Sequence, residues 1–213
     1  MHQKRATTNK GWAIPRKGTK YVVVPSHNKK TGIPILIIMR DILKMVKTRK
    51  ELEKILYEKK IAVNGKIIKE DNYSLSLFDI MSIDELKKNY KILISKSGKT
   101  IVEEINNNEA LSKIAKIANK KVLKGNKIQL NLNDGRSILS NEKAKTGDSV
   151  VINFKSGKIE KILPIKVGMH AIVIKGKHIG KSGKIINTTE NNAVIHCEYG
   201  DINIKNKELI VTA

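Results

Sequence analysis

Ile33 to Asp84, IPILIIMRDILKMVKTRKELEKILYEKKIAVNGKIIKEDNYSLSLFDIMSID, is the stretch that decides the fold, and its centre is Ala62-Val63-Asn64-Gly65-Lys66. Asn-Gly is the dipeptide that most readily closes a two-residue type I′ hairpin, because both turn positions need positive φ. Ile61 and Val63 precede it and Ile67 and Ile68 follow it, so a hairpin is expected over Lys60–Lys69. Upstream, Pro34 suits a first helical turn. Ile38, Ile42, Met45 and Val46 then fall at i, i+4, i+7 and i+8, which predicts a first short helix. Arg40, Lys44 and Lys47 fall at i, i+4 and i+7 on a different face. Like charges at that spacing repel in an isolated helix, and phosphates would neutralise them. The plainer reading is a solvated face.

Thr48-Arg49-Lys50-Glu51 has the capping-box pattern, with hydroxyl and carboxylate satisfying each other's free amides. It predicts a second helix through about Glu58 that buries Leu52, Ile55 and Leu56. Arg49 and Lys50 in its first turn oppose the helix dipole unless an anion lies nearby. Phe78 to Asp84 reads as a closing strand.

Outward from this stretch, composition narrows the partner. The 213 residues carry 42 Lys and Arg against 20 Asp and Glu, a formal charge of +22. Repulsion of that size opposes compaction and is relieved by a polyanion: RNA, DNA or an anionic membrane surface. No apolar run approaches the roughly 20 residues of a spanning helix, so a nucleic acid is favoured over a membrane. The apolar fraction is 40%, with two Phe and one Trp, so cores should be aliphatic and small. Met1 to Lys10 is polar and basic, with no apolar signal segment behind it. The single Cys197 allows no intramolecular disulfide and fits a reducing cytoplasm.

Residues 1–34 form a basic segment. Up to Arg40 the chain has nine cations and no acid, among them Lys4, Arg5, Lys10, Arg16 and Lys17. Gly11, Pro15, Gly18, Pro25, Gly32 and Pro34 interrupt any long element. Composition alone describes a disordered tail; the alternative is an arm ordered by nucleic acid. Trp12 and Tyr21 favour the arm, since aromatics among cations stack on unpaired bases. Val22-Val23-Val24 would anchor it as a short strand.

From Tyr90 the pattern turns to β. Lys91–Ser95 and Thr100–Ile105 flank Lys96-Ser97-Gly98-Lys99, Lys127–Leu132 and Arg136–Leu139 flank Asn133-Asp134-Gly135, and Ser149–Phe154 and Lys158–Leu163 flank Lys155-Ser156-Gly157. Three hairpins at this spacing predict a small antiparallel barrel. Between them Glu109–Ala118, with Leu111, Ile114, Ala115 and Ala118 at helical spacing, predicts a short helix. Asp134 and Asp148 are turn formers, and no catalytic constellation stands out.

Residues 166–213 form a third unit. Val167 to Ile174 is strand-like and leads into Lys175 to Ile185, where Gly176, Gly180 and Gly183 allow positive φ or close backbone approach. Lys175, Lys177, Lys181 and Lys184 share that loop. No helix follows, so the phosphate-at-helix-end arrangement is missing. Ala193–His196 and Leu209–Val211 supply later strands. His170, His178, His196 and Cys197 match no zinc spacing, and adjacent His196 and Cys197 on a strand point to opposite faces, which argues against metal binding.

A helix pair, V-N-G-K, then a strand after an acidic turn resembles the ribosomal-protein-four type of RNA-binding domain. That pattern has Arg two residues before Asp in the first helix; here Met39 holds the place and Arg40 is adjacent. The apolar run, Arg, Asp and Leu-Lys from Leu36 to Lys44 resemble the archaeal and eukaryotic branch of small-subunit ribosomal protein four, as do His2-x-Lys4-Arg5 and Trp12. The order strand, G-x-x-x-G-x-x-G, strand resembles the KOW motif of SH3-like barrels. Ending at Ala213, without a further basic tail, resembles the archaeal members.

The resemblance implies an α+β, mostly β chain. It would have a basic arm (1–34), a helix–hairpin RNA-binding module (35–88), a small antiparallel β-barrel middle domain (89–165) and a C-terminal SH3-like KOW barrel (166–213). It implies a non-enzymatic constituent of the small ribosomal subunit, without cofactor or small-molecule substrate, touching ribosomal RNA and neighbouring small-subunit ribosomal proteins. Expected RNA contacts are Lys4, Arg5, Lys10, Trp12, Arg16 and Lys17 in the arm. The module would add Arg40, Lys44, Lys47, Arg49, Lys50, Asn64, Lys66 and Lys69, and the last loop Lys175, Lys177 and Lys181. Rivals are an RNA-modifying enzyme, for which no catalytic domain is present, and a KOW-bearing elongation factor, against which the helix–hairpin module argues.

Overall fold

The computed structural model describes residues 2–140, 144–198 and 200–212. The chain divides into two units, Met1–Leu111 and Ser112–Ala213, and every strand pair among the described residues is antiparallel. The class is mostly-β α+β, as expected.

The first unit opens with β1 (His2–Lys4) paired to β2 (Tyr21–Val23). Val22 is buried there with Val23 packed against the core, so the arm is anchored by a strand one residue earlier than the expected 22–24. β3 (Ile33–Pro34) leads into α1 (Ile35–Ile37), which continues as a π-turn over Ile38–Ile42. The free N–H groups of Ile35 and Leu36 at this helix start donate to Tyr73 O (2.9 Å) and Asp71 O (3.1 Å). The helix ends before its apolar spacing predicts. Leu43 N–H donates to Ile38 O, Lys44 takes φ +55°, and Met45 N–H turns back to Met39 O. Val46 enters the core while Met45 stays exposed.

α2 (Arg49–Tyr57) carries the expected capping box. Glu51 N–H donates to Thr48 Oγ1, and Glu51 Oε2 accepts from Lys47 N–H (2.8 Å) and Thr48 N–H (3.4 Å). Leu52 and Leu56 are fully buried, with Ile55 partly so. β4 (Ile61–Val63) and β5 (Lys66–Ile67) then form the Asn-Gly hairpin, with φ +51° at Asn64 and +75° at Gly65. β6 (Ser74–Leu75) pairs back with β3. The closing strand β7 (Ile80–Ile83) begins after Phe78, whose φ of +64° is incompatible with a strand.

β8 (Lys88–Ile94) and β9 (Thr100–Ile105) form the hairpin expected around Lys96–Lys99. They extend the module's own sheet, in the order β5-β4-β7-β8-β9. The boundary expected between 88 and 89 therefore falls inside a continuous sheet, and the units part after Leu111. Ile35, Ile37, Ile38, Leu52, Leu56, Ile61 and Met81 make one core. Each such side chain contributes about 1.5–3 kcal/mol on burial. Packing of this kind, rather than propensity, holds helices too short to form alone.

In the second unit the expected helix over Glu109–Ala118 is instead a 3₁₀ turn followed by β10 (Ser112–Val122). β11 (Ile128–Leu132), β12 (Ser137–Ser140), β13 (Ser149–Asn153) and β14 (Ile159–Leu163) complete a sheet ordered β12-β11-β10-β13-β14. Its hairpin turns fall where the Asn-Asp-Gly and Lys-Ser-Gly signals place them. Along β10 one face carries Lys113, Ala115 and Ile117, all buried. Lys113 is buried because its Nζ lies 2.7 Å from Asp134 Oδ2. Asp134 is thus more than a turn former. Asp148 does form a turn, its carboxylate accepting from Lys145 N–H and Ile165 N–H.

The second sheet runs β18-β17-β16-β15-β19, from β15 (His170–Val173), β16 (Ser182–Thr188), β17 (Asn192–Cys197), β18 (Gly200–Lys205) and β19 (Leu209–Thr212). β18 is a strand that the sequence reading does not include. Ala171, Val173, Ile185, Ile195, Leu209 and Val211 form the core of this sheet with Leu163. Gly183 permits close approach: a Cβ there would sit 1.9 Å from His196 O across β16 and β17. On β17 His196 is exposed and Cys197 buried, the opposite facing expected of neighbours on a strand.

Candidate nucleic-acid interface

The turn between α1 and α2 and the start of α2 bring together three of the module's uncommitted lysines. Lys44, Lys47 and Lys50 are exposed, and none forms an ion pair among the described residues. The capping box holds this turn, since the Glu51 carboxylate receives Lys47 N–H. That backbone bond, with the Thr48 hydroxyl second, keeps Glu51 below its ordinary pKa. Lys66 on β5 and Lys69 beyond it are likewise exposed and outside any ion pair among the described residues.

Arg40 does not share a helix face with Lys44 and Lys47, because the π-turn and the left-handed Lys44 break the repeat. Its guanidinium is fixed on Asp41, Nε at 3.1 Å and Nη2 at 2.8 Å from the two carboxylate oxygens. That hydrogen bond raises the Arg40 pKa against the opposing effect of burial. Arg49 has also found its anion within the chain. Nε lies 2.7 Å from Asp71 Oδ2 and 3.0 Å from Glu53 Oε1, and Nη2 donates to Asp71 Oδ1. At the helix start Arg49 is thus already neutralised within the chain, while Lys50 forms no ion pair among the described residues.

Two residues expected on the RNA surface prove to be interior. Asn64 is 8% exposed; its Nδ2 donates to Asp79 Oδ1 (2.8 Å) and its Oδ1 accepts from Ile80 N–H (3.0 Å). Trp12 is 4% exposed, packed in the first core, with its indole N–H donating to Gly32 O. It is not available for base stacking. Burying the largest apolar surface in the arm outweighs leaving it in solvent.

Arg5 ties the arm to itself, donating to Pro15 O and Thr19 O (both 2.7 Å) and to Thr19 Oγ1. Lys4, Lys10, Arg16 and Lys17 remain exposed. The surface aromatic is Tyr21, with Lys20 Nζ 5.5 Å from its ring centroid and His2 edge-on at 4.4 Å. Tyr57, at the end of α2, is 88% exposed. Its place one residue beyond buried Leu56 was a legible sign that it faces outward.

In the second unit Lys175 and Lys177 are exposed and Lys181 half-buried, in a loop where Gly176 and Gly180 take positive φ. The sequence did not single out Lys116, Lys205 and Lys207, which lie with Lys175 around one cleft. Among the described residues no three His, Cys, Asp or Glu side chains cluster as metal ligands. His196 instead pairs with Asp201 at 2.6 Å, and burial pushes the Cys197 thiol up. The chemistry on offer is binding of a polyanion by lysines on a rigid frame.

Comparison with known proteins bears on this directly. Residues 86–159 match the model of the family described as Ribosomal family S4e. The small ribosomal subunit protein eS4 of Methanospirillum hungatei is 38% identical over 190 residues, covering 87% of this chain and 79% of the relative. That of Methanocella arvoryzae is 36% identical over 209 residues, covering 94% and 88%. The crystal structure of the 30S ribosomal protein S4e from Thermoplasma acidophilum superposes with a TM-score of 0.73 at 25% identity, covering 87% of this chain and 96% of that one. On similarity of this extent, the chain belongs to the small ribosomal subunit protein eS4 family, in its archaeal form.

Proposed function

We propose that this chain is a non-enzymatic building block of the small ribosomal subunit that holds ribosomal RNA and touches neighbouring small-subunit proteins. The observation that carries the reading is the set of exposed lysines outside any ion pair among the described residues. Lys44, Lys47 and Lys50 sit on a capped turn and Lys66 and Lys69 on the adjoining hairpin, in a chain of net charge +22. Such contacts position a protein on the phosphate backbone, and the shape of the folded RNA supplies selectivity. Residues 35–88 with β8 and β9 serve as a ribosomal-protein-four-type module, and residues 166–213 as an SH3-like KOW domain with Lys175, Lys177 and Lys181 on its loop. Lys4, Lys10, Arg16, Lys17 and Tyr21 extend the surface along the arm. The ribosome, and with it the cytoplasm, is its place of action.

Sedimentation tests this. The protein should cofractionate with small subunits after a high-salt wash. Recovery only as free protein, or only with RNA polymerase, would overturn it.

A further inference from the structure

Within the second unit a cleft of about 870 Å³ opens beside β10, within the ~300–1,000 Å³ span of small-molecule pockets. Its walls come from β10, the segment after β15, the turn before β17 and the segment after β18. Lys116, Lys175, Lys205 and Lys207 line it, against a single carboxylate, Glu190.

Lys116 is the unusual member. It is 6% exposed and lines the cleft, and its ammonium donates to the carbonyls of Asn206 and Leu209, on the segment that forms one wall. Burial, then repulsion from Lys175, lower its pKa to about 8, with the Asp148 carboxylate opposing. An anion entering the cleft would offset the repulsion between Lys116 and Lys175 and favour the charged form.

The rim is held in place before any ligand arrives. Asn206 Nδ2 donates to Thr189 O and Glu190 O (both 3.0 Å), and Asn206 N–H donates to Asn191 O (2.8 Å). These bonds fasten the turn before β17 to the segment after β18. Ile117 and Ile174 add an apolar surface, and Asn191 and Asn192 present exposed side-chain amides.

A site with a buried ammonium, apolar ground and amide groups matches one nucleotide. The exposed Lys205 and Lys207 at the mouth match the phosphates on either side of it. We infer that this cleft receives a single unpaired nucleotide of an RNA strand, its phosphate among the lysines and its base against Ile117 and Ile174. The inference rests on the RNA-binding function proposed above and adds a second, strand-reading site to it.

The test titrates the full chain with a single-stranded RNA tetranucleotide, with uridine monophosphate and with inorganic phosphate, following the side-chain amide resonances of Asn191 and Asn192. The tetranucleotide should shift them saturably. The Lys205→Ala/Lys207→Ala double variant, altered only at exposed positions, should lose about fivefold in affinity, on the scale of ~1 kcal/mol for exposed charge contacts. Equal affinity for the monophosphate would overturn the assignment to a strand, and equal affinity for inorganic phosphate the assignment to a nucleotide. Unmoved amides in a protein that still binds small-subunit RNA would overturn the site and leave the proposed function standing. Failure of the native protein to bind small-subunit RNA at all would overturn both.

Discussion

Asn64 Nδ2 lies 2.8 Å from Asp79 Oδ1, and this bond locks the hairpin turn onto the start of β7. The same amide accepts Ile80 N–H through Oδ1, and Asp79 Oδ2 accepts Ser76 N–H. One Asn thereby makes the turn through its backbone and ties that turn to the start of β7 through its side chain, with Asp79 carrying the link on to Ser76.

Asn64→Gly keeps the positive φ but loses both buried side-chain bonds. It should cost about 1–3 kcal/mol. Asn64→Ala loses the left-handed tolerance as well, at about 1 kcal/mol more. Urea denaturation of the two variants would separate turn strain from hydrogen bonding, and equal stabilities would show that the turn is unstrained.

Replacing Lys44, Lys47 and Lys50 together by Ala should flatten the salt dependence of ribosomal RNA binding. The expected change is about 0.7–0.9 in slope for each phosphate that a lysine no longer neutralises. Arg40→Ala should change the slope less, since Asp41 already neutralises that guanidinium. Filter binding across a potassium chloride series would decide, and an unchanged slope in the triple variant means a merely solvated turn.

The Lys113–Asp134 pair is buried, with side chains 1% and 7% exposed. Asp134→Ala removes this carboxylate from the buried ammonium and should cost up to about 3–5 kcal/mol, whereas Lys113→Met with Asp134→Leu should cost much less. Burial would raise the Asp134 pKa, but Lys113 and the Arg136 backbone N–H hold it below its ordinary 3.8. The contribution of that carboxylate is therefore present above pH 3.8 and lost as the pH falls below it. Acid denaturation of the double variant should lack this component.

Lys116 behaves in the opposite sense. Its pKa falls from 10.5 to about 8 on folding, so between those values the unfolded chain binds more protons and stability rises with pH. Thermal melts across that window should show the rise in the native protein and a flatter course in Lys116→Met. Parallel courses would mean that the ammonium is not desolvated.

Gly183→Ala drives a Cβ to 1.9 Å from the backbone oxygen of His196. Neither strand can yield without breaking the sheet, so about 3 kcal/mol or more should be lost. Gly157→Ala meets no atom within 4 Å and bears only the strain of φ +65°, about 1 kcal/mol. Comparable melting temperatures for the two would contradict the close approach of β16 and β17.

Signals carried by adjacent residues were legible without coordinates. Asn64-Gly65, the Thr48–Glu51 box and the Gly-containing hairpin turns at 98, 135 and 157 all stand where the chain places them. Their physics is local: a dihedral preference, or a side chain reaching its own backbone. What failed depended on distant partners. Lys113 occupies an inward position of β10 because Asp134 neutralises it, and a charged residue there erased the period-two pattern and left a helical one. Nothing between Arg40 and Lys47 warned of the left-handed Lys44, which lets Met45 turn back to Met39. Net charge and the order of motifs along the chain determined the family and the kind of partner. Only the tertiary structure decided which members of that charge are free. It did so by giving Arg40 and Arg49 carboxylates of their own and by folding Lys116 into a cleft, and it also took the neutral Trp12 and Asn64 out of the surface. A charge counts toward a partner only after the fold has settled what already surrounds it.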